Sequence, residues 1–126
     1  MAKKFTFYGK TPEELEKMSL EDFVKLIPSR MRRSLKRGLS HGQKKLLEKI
    51  KRSNKPARTH ERQTVIVPEM LGKQVAIHQG KTWEVVDITA EKLGHRLGEF
   101  SQTRGKVGHS SPGVGATKGS KHTSKK

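Results

Sequence analysis

Over residues 64–100 the chain reads TVIVPEMLGKQVAIHQGKTWEVVDITAEKLGHRLGEF, and here alone apolar residues recur over a long run with strand spacing. The β-branched run Thr64-Val65-Ile66-Val67 predicts a buried strand, stopped by Pro68. Residues 73–78 and 81–88 predict two further strands, paired antiparallel through a tight turn at Gln79-Gly80 that puts glycine where positive φ is needed. In the last of these, Trp83 and Val85 point to one face and Val86 and Ile88 to the other. Both faces therefore carry apolar residues, and the pattern leaves open which one takes the helices. The strand position of Trp83, the sole tryptophan, predicts a core residue rather than a stacking platform. Thr89 predicts the cap of a short helix over 90–93 ended by Gly94. Leu97 and Phe100 then pin a loop from which His95 and Arg96 project.

Upstream the period changes to that of helices. Thr11-Pro12-Glu13-Glu14 combines a cap, a proline at the first helical position and a capping-box acid, with Leu15 and Met18 inward. Ser19 starts a second helix whose Phe23, Val24 and Ile27 share a face before Pro28 ends it. Ser29 predicts the cap of a third, short helix, with Gly38 past its end. Ser40 and Gln43 form a capping box for a fourth, with Leu46, Leu47 and Ile50 as its apolar stripe. Residues 53–62, SNKPARTHER, read as an extended surface linker.

Hydrophobic residues make up only 30% of the 126, so the expected core is small and part of the chain is expected to order against a partner. The expected division is a helical basic extension over 1–55, an α+β core over 56–101 and a Gly-rich basic tail over 102–126, disordered when alone. Charge follows the same division. The net +16 is distributed as zero over residues 1–27, +11 over 28–58 with Glu48 the single acid, −1 over 59–101 and +6 over 102–126 with no acid. Two almost acid-free blocks flanking a neutral core predict a polyanion footprint. No membrane partner is expected, because the basic blocks lack the aromatic anchors of an interfacial helix and no long apolar run occurs. With no apolar export signal at MAKKFTFYGK, the cytoplasm is the expected compartment.

Catalytic and metal chemistry find little support. His60-Glu61 opens a His-Glu-x-x-His motif that position 64, a threonine, does not complete, and the remaining histidines lack ligand spacing. There is no cysteine, Walker loop or nucleophile elbow. The acids of residues 1–27 sit mostly at helix starts, where caps need them. An enzyme, a cofactor and a metal are thus not expected. Gly105-Lys106-Val107-Gly108 has the GxxG form of a KH loop, but without flanking helices.

The run from Gln79-Gly80-Lys81 through Ile88, Leu93-Gly94, Leu97-Gly98-Glu99-Phe100 and Thr103 resembles the signature of the small-subunit ribosomal protein S-nineteen family. Its spacing falls out without gaps, and ARTHER and IVPEMLGK upstream are also similar, so that the resemblance covers about 56–108. The N-terminal helices and the Gly-rich tail resemble extensions of the archaeal and eukaryotic branch. Gln79 stands where asparagine is common at the turn.

The resemblance implies a small α+β domain with a three-stranded mixed sheet and packed helices. It implies a structural constituent of the small ribosomal subunit, bound to the 3′ major domain of the rRNA in the head. It further implies contact with the neighbouring head protein of the S-thirteen family, close to the decoding and tRNA sites, with the tail in reach of tRNA or mRNA. The competing reading of the charge is a free-standing basic protein that compacts nucleic acid, which would want a groove-reading helix or a symmetric dimer face. The RNA-contact candidates in the basic block and linker are Arg30, Arg32, Arg33, Arg37, Lys55, Arg58 and Arg62. Further along they are Lys81, His95, Arg96 and Arg104. Lysine and arginine would neutralise phosphates, and arginine adds bidentate bonds or stacking.

Overall fold

The computed structural model describes residues 5–108. Its helices are α1 (Pro12–Lys17), α2 (Leu20–Leu26), α3 (Ser29–Lys36) and α4 (His41–Arg52), and its strands are β1 (Ala57–Thr59), β2 (Gln74–His78) and β3 (Trp83–Asp87). Short 3-10 turns at Pro68–Met70, Ala90–Lys92 and Leu97–Phe100 complete it. The three-stranded sheet has the order β1-β2-β3, with β1 parallel and β3 antiparallel to β2, so it is mixed. The α+β class implied by the resemblance is the fold observed.

The capping chemistry explains where the helices begin. Thr11 Oγ1 accepts the Glu14 N–H while the Glu14 carboxylate accepts the Thr11 N–H, so α1 carries both halves of the box. Ser40 and Gln43 do the same for α4. Ser19 caps α2. Ser29 does not cap α3, because the helix starts at Ser29 itself and the N-cap position falls to Pro28, whose ring has no oxygen to accept a backbone N–H.

One apolar core joins the helices to the sheet. Leu15, Phe23, Leu46 and Ile50 from the helices meet Val75, Ile77 and Val86 from the strands, with Ile27, Ile66, Met70, Leu93 and Leu97 from the connections. Val75 pairs with Ala57 and Val86 in register, and Ile77 with Thr59, which fixes the inner face of the sheet. The outer face carries Arg58, Ala76 and Val85 in one register row and His78 and Trp83 in the next. Trp83 is therefore not a core residue. It is half-buried on the face away from the helices, where neighbouring rings rather than core side chains cover it.

Two segments differ from their sequence reading. The first strand of the sheet lies inside the predicted linker, at Ala57–Thr59, with Ala57 and Thr59 buried and Arg58 exposed. The β-branched run 64–67 is buried, yet it is not a strand of the sheet. Its backbone pairs with a loop: Ile66 N–H donates to His95 O, Gly94 N–H to Ile66 O and Leu97 N–H to Thr64 O. The predicted helix at 90–93 is a single 3-10 turn, and the Thr89 hydroxyl does not cap it. The antiparallel hairpin forms and Gly80 takes φ +103°, but the turn lies one residue further on than predicted: Gln79 N–H donates to Thr82 O at 2.9 Å, His78 pairs with Trp83, and β3 starts at Trp83 rather than Lys81. Residues 102–108 run exposed without regular structure, and the tail expected to be disordered lies, from 109 on, outside the described residues.

Candidate nucleic-acid interface

Although eight residues long, α3 carries Arg30, Arg32 and Arg33 with Lys36, and Arg37 closes it. The helix contains no acid, and among the described residues none of these cations forms an ion pair. Arg30, Arg33 and Arg37 are exposed. Like charges one turn apart repel by a few tenths of a kcal/mol per pair, a cost that an external polyanion removes.

Arg32 is different. It lies against α2, with Nε donating to Val24 O at 3.1 Å and Nη2 to Lys25 O at 3.0 Å and Ile27 O at 3.1 Å. Those are carbonyls at the C-terminal end of α2, which have no partner within their own helix. The guanidinium of one helix thus closes the C-terminal end of another.

Arg62 and Arg96 are likewise held from within. Arg62 Nη1 donates to His78 O at 2.7 Å and Ser101 Oγ at 3.3 Å, and Nη2 to Gly98 O at 2.8 Å and Ser101 O at 2.5 Å. Gly98 is needed for this fit, since a Cβ there would stand 3.0 Å from both the Cβ and the carbonyl oxygen of Arg62. Arg96 bonds Gln63 through Nη1, donates from Nη2 to Ser34 Oγ at 3.2 Å and approaches Met31 Sδ at 3.4 Å. It thereby ties the loop before the last 3-10 turn to α3.

His95 is exposed and lies 2.8 Å from Glu99, while Glu99 Oε1 accepts the Arg96 N–H at 3.1 Å. Partial burial works to raise the Glu99 carboxyl. It is outweighed by the Arg96 N–H, the His95 hydrogen bond and the charges of both residues, and the group stays below its ordinary value.

The candidates group into clefts. Arg37 and Arg96 share a cleft of about 270 Å³ between α3, the start of α4 and the 63–65 segment, lined also by Ser34, Gln43 and Gln63. Lys55 and Arg58 share another with Lys49 and Arg52 of α4. Those last two belong to the acid-poor polar side of α4, which the sequence also offers to phosphate though not as named contacts. Their spacing of three on α4 is the signal that places them together. Lys81 stands exposed in the hairpin turn next to Trp83, and Arg104 is exposed beyond the last 3-10 turn. No group of three or more metal-ligating side chains occurs among the described residues, and no helix there is long and apolar enough to cross a membrane.

The fold is α+β, and among the described residues the cations of α3 have no acidic partner, the charge pattern expected of a polyanion-binding surface. Comparison with known proteins narrows the class. The chain belongs to the family described as "Ribosomal protein S19", which its residues 33–109 match. It is 46% identical over 118 residues to "Small ribosomal subunit protein uS19" of Methanococcoides burtonii, covering 94% of this sequence and 86% of that protein. The family match begins within α3, upstream of the 56–108 stretch that the motif resemblance reaches.

Proposed function

We propose that the protein is a structural constituent of the small ribosomal subunit and acts in the ribosome by holding folded rRNA of the head near the decoding and tRNA sites. The observation that carries this reading is the exposure of Arg30 and Arg33 on α3 and of Arg37 at its end, none with an acidic partner among the described residues. Arg30, Arg33, Arg37, Lys55, Arg58, Lys81 and Arg104 are the proposed phosphate contacts, all exposed. Arg32, Arg62 and Arg96 belong to the same surface as positioning residues, because their donors are engaged by backbone and side-chain acceptors. His95, paired with Glu99, would offer its remaining ring nitrogen to a phosphate or ribose.

A neighbouring head protein of the S-thirteen family and, through the +6 tail, tRNA or mRNA are the further partners proposed. On this reading, deleting residues 110–126 leaves subunit incorporation nearly intact and weakens tRNA binding at moderate salt. The reading as a whole is tested by comparing affinity for a folded fragment of the 3′ major domain with that for duplex DNA of equal charge. It expects a marked preference for the rRNA and retention on small subunits through a high-salt sedimentation. Equal affinities with loss from the subunits at high salt would favour a free-standing compacting protein instead.

A further inference from the structure

The strand ends bring three rings together on the sheet face turned away from the helices. His60 and His78 lie 4.3 Å apart, and both meet Trp83 edge-on, at 5.0 and 4.9 Å between centroids. The Arg58 guanidinium sits over the Trp83 ring at 5.6 Å. In the adjacent register row, Ala76 stands between Arg58 and Val85, and Val85 is 54% exposed. Ala76 is buried beneath its neighbours, His78 and Trp83 are half-buried and His60 is exposed, and none of the residues of this face belongs to the core cluster. Half-buried rings beside an exposed valine and an arginine form a surface with both a π-face and a charge to offer.

The charges around it select an occupant. Arg58 lies over the ring itself and Lys81 stands exposed in the turn between His78 and Trp83, while Lys55 precedes β1 at the other end of the face. Among the strand residues of this face the acid is Asp87, at the opposite end, where it accepts from Gln74 at 2.7 Å. The carboxylates adjoining the rings in sequence are engaged elsewhere, Glu84 beside Ile77 with a bond from Gln79 and Glu61 against Gly42 of α4, so that rings bordered by Arg58 and Lys81 suit an unpaired nucleotide. Its base stacks on an aromatic ring or a guanidinium while its phosphate is neutralised alongside. A duplex keeps its bases inside the stack and would meet only the cations. An acidic peptide would use the cations but leave the row of rings unexplained.

We infer that the outer face of the sheet, at Arg58, His60, His78 and Trp83, is a stacking subsite for an unpaired RNA base. This rests on the proposed rRNA binding and adds to it a distinction between single-stranded and paired RNA. Trp83, as the only tryptophan, reports on the subsite directly. The full-length protein is titrated with a short single-stranded RNA and with the duplex formed from it, following Trp83 emission and the anisotropy of end-labelled RNA. Quenching by the single strand and not by the duplex is expected.

His60→Ala, at an exposed position, should weaken single-strand binding about 5- to 100-fold and leave duplex binding nearly unchanged. Trp83→Leu, if it folds, should do the same. Equal losses on both RNAs, or single-strand binding with unchanged Trp83 emission, would overturn the subsite while leaving RNA binding in place. Failure to bind either RNA would remove both readings. A photo-crosslinking p-benzoylphenylalanine in place of Val85, in assembled small subunits, is expected to yield an rRNA adduct. An adduct to protein, a second copy of this one included, would overturn the inference.

Discussion

Three arginines that read alike in the sequence do different work once folded. Arg33 reaches solvent, whereas Arg32 caps α2 and Arg62 joins the hairpin, the last 3-10 turn and the start of the tail. Nothing in RMRRSLKR distinguishes the position that turns back onto α2, because that depends on the angle between two helices. We expect Arg62→Ala to cost about 2–3 kcal/mol in chemical denaturation, since it removes charged hydrogen bonds and leaves His78 O and Gly98 O unpaired. Arg33→Ala should lie within about 0.5 kcal/mol of the parent, as surface changes do. A null result at Arg62 would mean that water replaces the fork without loss. The Glu99 carboxyl gives a second check. Its folded value is depressed, so its contribution to stability is present above the unfolded carboxyl value and is lost as pH falls through the folded one. In an NMR titration Glu99 should protonate at lower pH than an ordinary glutamate, and His95→Ala should move it upward.

Which elements could be read from the sequence depended on whether their hydrogen bonds are local. The capping boxes at Thr11 and Ser40 and the turn at Gly80 are closed by residues within a few positions of one another, and all were legible. β1 was not, because three residues with one alternation carry no period, and its partner Val75 lies far along the sequence. The run 64–67 has the composition of a strand, but its partners are the carbonyl of His95 and the amides of Gly94 and Leu97, which belong to a loop. Composition reported its burial correctly and its pairing wrongly. Trp83 was misread because alternation places it on a face without saying which face the helices take. Ile77 marks the inner face: it is fully buried in mid-strand. Ile77→Ala should therefore lower stability by about 2–5 kcal/mol. A melting temperature unchanged by that substitution would show that the sheet packs by its other face.

At the scale of the molecule, charge and core are kept apart. The segment over 28–58 carries +11, while the folded middle carries −1 and supplies the packing that holds that charge in place. Part of the candidate site was legible at this scale, since charge blocks need no geometry to be seen. The division of its arginines into exposed and engaged was not. That division makes a prediction which net charge alone cannot. Each phosphate contact contributes about 0.9 to the slope of log affinity against log salt on a duplex, and about 0.7 on single strands. Replacing Arg30, Arg33 and Arg37 together by glutamine removes three exposed cations that have no acidic partner among the described residues. The slope for an rRNA fragment should then flatten by about two to three contacts' worth, with the melting temperature nearly unchanged. Replacing Arg32, Arg62 and Arg96 removes the same formal charge from groups whose donors already serve the fold. Here the melting temperature should fall steeply, and in whatever fraction remains folded the slope should change by less. If the two triple variants flatten the slope equally at equal stability, RNA binding follows net charge alone, and the distinction drawn between the exposed and the engaged arginines fails.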